Sequence, residues 1–202
     1  MNKNTNNLRK EINRLRKIPG NVRGVIILSN SEYVRHRKGN EGLEMVENTL
    51  RNLEVSFSFD KISPTAWYPE WLSVAFILTS KEVFNWKEED IFDMGLSAPK
   101  LSLFIRMLVK YFASPIQIFK EAPVFWRRHF DFGELEPVEI DENKRYFLFR
   151  IKGYEFHPLI CYYHKGYFLQ VARIILGTQD VKIQETKCVF RGDLYHEYLI
   201  KW

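Results

Sequence analysis

The hydrophobic period of this chain changes at Gly133, and no other feature constrains its fold as strongly. Before Gly133 the apolar residues recur mostly at helical spacing; after it they fall into strand, strand, helix, strand, strand. Glu134 to Ile140 and Tyr146 to Ile151 read as strands around the polar turn Asp141-Glu142-Asn143-Lys144. Pro158 opens a helix that runs to Leu176 and stops at Gly177, and Val181 to Phe190 with Leu194 to Trp202 form a closing hairpin about Arg191-Gly192-Asp193. The predicted class is therefore α+β: a helical N-terminal layer packed on a C-terminal four-stranded antiparallel sheet in ββαββ order.

Ahead of the switch the segments read mainly as helices. Leu8, Ile12 and Leu15 sit at spacings of four and three on a charged segment, 5 to 17, that Pro19-Gly20 ends. So narrow a stripe does not support a lone helix; it needs the body of the molecule or the same helix of a second subunit, and a homodimer is expected. Val22 to Tyr33 reads as a strand or the way into the core. Gly39, Asn40 and Gly42 mark a turn before a helix carrying Leu43, Val46, Leu50 and Leu53. Trp71 to Thr79 is a nearly all-apolar helix. Asn85 and Glu88 have capping-box spacing and Gly95 suits a helix end, which predicts a short helix over 86–94. Ser97 then caps a helix in which only Ser102, Arg106 and Lys110 interrupt Leu101 to Phe112, and Ser114-Pro115 starts another that Pro123 kinks or splits. The chain divides into a basic N-terminal helix (1–20), the mostly helical half of a single domain (21–113), and an αββαββ half (114–202).

The charge is uneven. Residues 1–40 carry ten Lys/Arg against Glu11 and Glu32, while the other 162 residues hold twenty basic and twenty-three acidic groups. A basic arm on a near-neutral body can track phosphates, dock on anionic lipid or pair with an acidic partner; read plainly it is a solvated helix, and nucleic acid is not expected. Trp126-Arg127-Arg128-His129 could stack a base, but its bland reading is a core Trp with two snorkelling arginines. No run free of Lys, Arg, Asp and Glu exceeds the ten residues from Trp71 to Ser80, too few to span a bilayer. With no signal-peptide pattern at the start, the chain is placed in the cytoplasm, where its two cysteines are reduced thiols or metal ligands.

One cluster has metal-ligand chemistry: Cys161, Glu185, Cys188 and His196. A hairpin centred on Gly192 puts Cys188 opposite His196, with Cβ atoms about 4.5 to 5.5 Å apart. Glu185, three residues before Cys188, would leave a regular strand by the other face, so a bulge or strand start near Thr186-Lys187 must turn it back. Cys161 lies in the first turn of the helix after Pro158, where the helix N-terminus favours a thiolate. Two thiolates, an imidazole and a carboxylate suit a closed, structural Zn²⁺ site; alternatively, the two cysteines are small buried apolar side chains.

From about Ser114 to Trp202 the chain resembles the 4-vinyl reductase-type ligand-binding domain, in a superfamily that also holds heme nitric-oxide/oxygen sensors and a trafficking-complex subunit. The resemblance is carried by the SPIQIF helix start, Gly133-Glu134-Leu135 leading into the sheet, Cys161 with Gly166, and the ending ETKCVFRGDLYHEYLIKW. In metal-binding members that ending is Glu, two residues, Cys, seven residues, Cys, with an earlier Cys upstream. Glu185, Cys188 and Cys161 match it, and His196 stands in place of the last Cys. The resemblance implies a small hydrophobic or aromatic ligand held between the helical layer and the sheet, and a signal passed to a protein partner. The related heme sensors use a Tyr-x-Ser-x-Arg clamp and an axial His on a central helix; the chain lacks the clamp and has no His between His36 and His129, so no heme is expected.

Other chemistry finds little support. There is no G-x-S-x-G, Walker or Rossmann pattern, and Cys161 near His164 is the nearest approach to a nucleophile pair, so no catalysis is expected. The candidate pocket residues are Phe104, Met107, Tyr111, Phe119 and Trp126 on helices, with Tyr146 and Phe149 from the sheet. The expected protein is a cytoplasmic, zinc-stapled regulatory or sensory domain binding a small hydrophobic ligand; the alternative is a scaffold of the same fold with no exchangeable ligand.

Overall fold

The computed structural model describes residues 3–56, 58–101 and 114–202. The predicted helix from Leu101 to Phe112 lies almost wholly outside them, and with it Phe104, Met107 and Tyr111.

Helix α1 (Lys3–Leu15) ends ahead of Pro19-Gly20, and its stripe is spent inside the molecule. Ile12 and Leu15 are fully buried, Leu8 is partly so, and the helix packs on α3 (Glu70–Phe84). Each such side chain contributes roughly 1.5–3 kcal/mol, enough to hold a helix that its own turns would not. The stripe is thus unavailable to a second subunit, and the argument for a homodimer goes with it. Two basic groups of α1 are tied to the body: Arg9 pairs with Glu54 at 2.5 Å, and the Arg14 guanidinium donates to Phe156 O.

Strand β1 (Asn21–Arg23) pairs antiparallel with β2 (Trp67–Pro69). The β-branched run that follows is not a strand. It opens α2 (Gly24–Asn52), in which only Ile27 of the run Val25 to Leu28 is fully buried, a one-in-four pattern that serves a helix. Gly39 kinks α2 rather than ending it: φ of 71° puts it in the region that glycine alone enters freely. Helix α4 (Glu88–Leu101) runs through Gly95, where the sequence predicts a stop. A Cβ at Gly95 would lie 2.1 Å from the Tyr163 carbonyl oxygen, and one at Gly166 would lie 2.0 Å from that of Phe92. Gly95 is there for close approach between α4 and α7 (Leu159–Leu176), and Ser97 lies within α4 instead of capping the next helix.

The C-terminal half follows its pattern. Ser114 caps α5 (Pro115–Lys120) by accepting from the Gln117 amide, and Pro123 falls in the first turn of a separate α6 (Ala122–His129). Strands β3 (Glu134–Asp141), β4 (Tyr146–Lys152), β5 (Lys182–Lys187) and β6 (His196–Lys201) form one antiparallel sheet in the order β3-β4-β6-β5. Pro137, which has no amide hydrogen to donate, sits beside a bulge on the edge strand β3. Phe149, Ile151, Tyr198 and Ile200 are buried within the sheet, which packs with α7. No helix among the described residues is long and apolar enough to cross a membrane.

Candidate functional site

Lys187 pairs with Glu197, so Cys188 and His196 are the next positions of the two strands before the turn. The turn itself is a single 3-10 turn, Val189–Arg191, closed by Gly192 at φ 94°. A register shift between Glu185 and Lys187 brings the Glu185 carboxylate to the same side. Cys161, in the first turn of α7, arrives from above the sheet. The donor atoms of all four lie within 4.8 Å of one another, and the cluster is buried.

The spacings suit one ion. The sulfurs of Cys161 and Cys188 are 3.7 Å apart, Cys161 Sγ is 3.8 Å from His196 Nδ1, and Nδ1 is 3.3 Å from Glu185 Oε1. Metal–thiolate bonds of about 2.3 Å at tetrahedral angles would set two sulfurs about 3.8 Å apart. His196 Nε2 donates to the Tyr154 carbonyl at 2.9 Å, which leaves Nδ1 facing the cluster, and the Cys188 amide donates to Asp193. Burial, reinforced by Glu185 and Cys188, pushes the Cys161 thiol up, so the thiolate expected from its helix position is overturned by desolvation. Burial also works to raise Glu185, but His196 and Arg191 outweigh it and hold that carboxyl below its ordinary value. A cation entering this site must therefore displace the Cys161 proton.

Tyr154 ties the cluster to the helical half. Its carbonyl holds His196, and its hydroxyl donates to Glu70, the first residue of α3. Glu70 is 3% exposed, and its Oε2 has no hydrogen-bond partner among the described residues. Burial raises its pKa to about 8, against the weaker pull of Tyr154 and Ser73.

Further along α7 lies an apolar cavity of about 150 Å³. Its described walls are Ile118 and Phe119 of α5, Phe125, Trp126 and His129 of α6, Phe147 and Phe149 of β4, and the α7 face running from Tyr163 and His164 through Tyr167, Phe168 and Val171. Of the predicted pocket residues, Phe119, Trp126 and Phe149 line it. Tyr146 does not: it begins β4 and donates its hydroxyl to Glu139. The α7 wall escapes the sequence reading although its signal is present, since 163, 164, 167, 168, 171 and 172 recur at helical spacing. His164 stands between the two sites, one turn after Cys161. Burial takes its pKa down to about 3, and His196 adds to the effect.

No protein-family model and no curated protein matches the sequence. Solved structures do. One is an H-NOX protein from S. oneidensis in the Fe(II)NO ligation state, 14% identical, with a TM-score of 0.65 over 89% of this chain and 98% of that one. Another is an oxygen-binding H-NOX domain related to soluble guanylate cyclases, also 14% identical, with a TM-score of 0.60 over 89% and 94%. A third, from a study of heme distortion in the H-NOX family, is 15% identical with a TM-score of 0.62 over 89% and 94%. At such identity the likeness is one of fold, and it agrees with the α+β class read from the sequence.

These neighbours correct the expected cofactor. The expectation of zinc with heme excluded is overturned, because the solved structures the chain resembles are H-NOX proteins described by an Fe(II)NO state, a heme redox potential and heme distortion. His129 and His164 are neutral imidazoles on an aromatic surface, a donor set that fits a heme iron. The volume does not fit the macrocycle: an apolar cavity of about 150 Å³ holds one benzene ring.

Proposed function

We propose that this chain is a cytoplasmic sensory domain of the 4-vinyl reductase type, a receptor and not an enzyme, that binds a small hydrophobic or aromatic ligand and signals through a protein partner. The observation that carries the reading is the apolar cavity between α5, α6, α7 and the sheet. It is walled mostly by rings, and such a surface is favourable to an apolar molecule and unfavourable to water. The H-NOX likeness adds that this fold serves small-molecule binding elsewhere.

Cys161, Glu185, Cys188 and His196 are proposed as a metal centre of this receptor. With all four donors from the protein, a tetrahedral ion has no open position, so its work is to clamp the start of α7 to the closing hairpin. Tyr154 orients His196 from the outside. The clamp fixes one end of the helix whose next turns line the cavity.

Two measurements test the reading. Small molecules extracted from purified protein and identified by mass spectrometry should include an apolar ligand in stoichiometric amount. Alternatively, an apolar single-ring compound added at a hundred times its Kd should stabilise the fold by about 2.7 kcal/mol. Protein that carries nothing and whose melting no such compound shifts would refute the receptor.

A further inference from the structure

Six side chains on the described cavity wall can make hydrogen bonds, and three are engaged. Trp126 Nε1 donates to Phe132 O at 2.9 Å, His129 Nδ1 lies 3.0 Å from Phe125 O, and Ser29 beside the Tyr163 hydroxyl works to lower its pKa. Of the other three, Trp202 is the last residue of the chain, and His164 and Tyr167 stand one turn apart on α7. Neither the His164 ring nor the Tyr167 hydroxyl has a hydrogen-bond partner among the described residues, although His164 is only 6% exposed. Buried polar groups are nearly always paired, so an imidazole on a cavity wall with no partner among the described residues is a place where a bound molecule can complete the pairing.

The surroundings define that molecule. The rings of Tyr154, Phe168 and Trp126, with centroids 4.7, 5.9 and 6.4 Å away, pack around the His164 imidazole. No Lys, Arg, Asp or Glu lines the described wall. Burial takes His164 down to about 3 and Tyr167 up to about 12, so both groups are neutral near pH 7. A neutral imidazole offers one donor and one acceptor, and a phenol can do either, but neither balances a charge.

We propose that His164 and Tyr167 are the specificity-determining pair of this cavity, and that its ligand is an uncharged single-ring molecule bearing one hydrogen-bonding substituent. The proposal rests on the receptor reading, and it adds which ligands the receptor accepts and which residues choose them.

The test uses three probes of one ring size, toluene, benzyl alcohol and benzoate, titrated calorimetrically into the full chain. Benzyl alcohol should bind about tenfold tighter than toluene, the worth of one net hydrogen bond, and benzoate should bind weakest of the three. His164→Phe should bring the alcohol-to-toluene ratio to about one while toluene still binds. Tyr167→Phe gives the same test if the first variant does not fold. Toluene binding with no preference for the alcohol, an unchanged ratio in both variants, or benzoate binding tightest would each overturn the pair and leave the receptor standing. No binding by any probe would remove the receptor reading as well. Hemin producing a visible-absorption shift that His164→Phe abolishes would make His164 an iron ligand and overturn the proposal.

Discussion

Glu70 should make this protein less stable as the pH rises through the neutral range. Its carboxyl is buried at the start of α3, accepts from the Tyr154 hydroxyl, and titrates at about 8 instead of 4.5. Below pH 4.5 the group is protonated in both folded and unfolded chains and contributes no pH dependence. Between 4.5 and about 8 the unfolded chain ionises it while the folded chain keeps the proton, so the folded state binds more protons and loses stability by about 1.4 kcal/mol per pH unit. The cumulative cost is about 3 kcal/mol at pH 7 and about 5 kcal/mol above pH 8. Glu70→Gln keeps an oxygen for Tyr154 and removes the ionisation. Urea unfolding followed by circular dichroism at pH 5, 7 and 9 should therefore show variant and parent similar at pH 5, with the variant more stable by a few kcal/mol at pH 9. Equal slopes against pH for the two proteins would refute the reasoning, since the loss would then belong to other groups.

Three further outcomes follow from the same geometry. Cys188→Ser should lose bound metal, measured by elemental analysis of purified protein, and lower the melting temperature; a parent protein free of metal would dismiss the clamp. Gly166→Ala should destabilise by at least about 1–3 kcal/mol in thermal unfolding, because its new carbon would meet the Phe92 carbonyl at 2.0 Å, whereas Gly177→Ala meets no atom and should suffer only from its positive φ. Ser114→Ala removes the side-chain cap on α5 and should cost about 1 kcal/mol, read by the same melts; no change would mean that α5 is held by Ile118 and its neighbours alone.

How legible the chain is depends on which physical term fixes each segment. The C-terminal strands and α7 can be read because alternation, turn residues and Pro158 all agree on them. The four-residue cluster can be assembled from hairpin arithmetic, since Gly192 fixes which residues face across the turn and the bulge at Glu185 follows from the side its carboxylate must reach. Gly95 misleads because a helix end and a close helix crossing require the same residue, and only a partner helix distinguishes them. Val25 to Leu28 mislead because β-branched residues describe a strand until tertiary packing makes them one turn of α2. Glu70 and His164 are invisible in sequence: a lone acid or imidazole is assigned to solvent, and nothing local says that Tyr154 or the cavity will bury it.

Gly95 and Gly166 have a mechanical consequence. Where α4 and α7 cross, main chain lies on main chain, with no layer of side chains between them to change rotamer and absorb a displacement. The two helices therefore move as a single stiff bar. One end of that bar carries Cys161, its middle carries His164 and Tyr167, and its α4 arm extends to Leu101 in the helical half. If the chain is the receptor proposed above, a ligand that shifts α7 by a fraction of an ångström would carry α4 with it, with no residue between them having to repack.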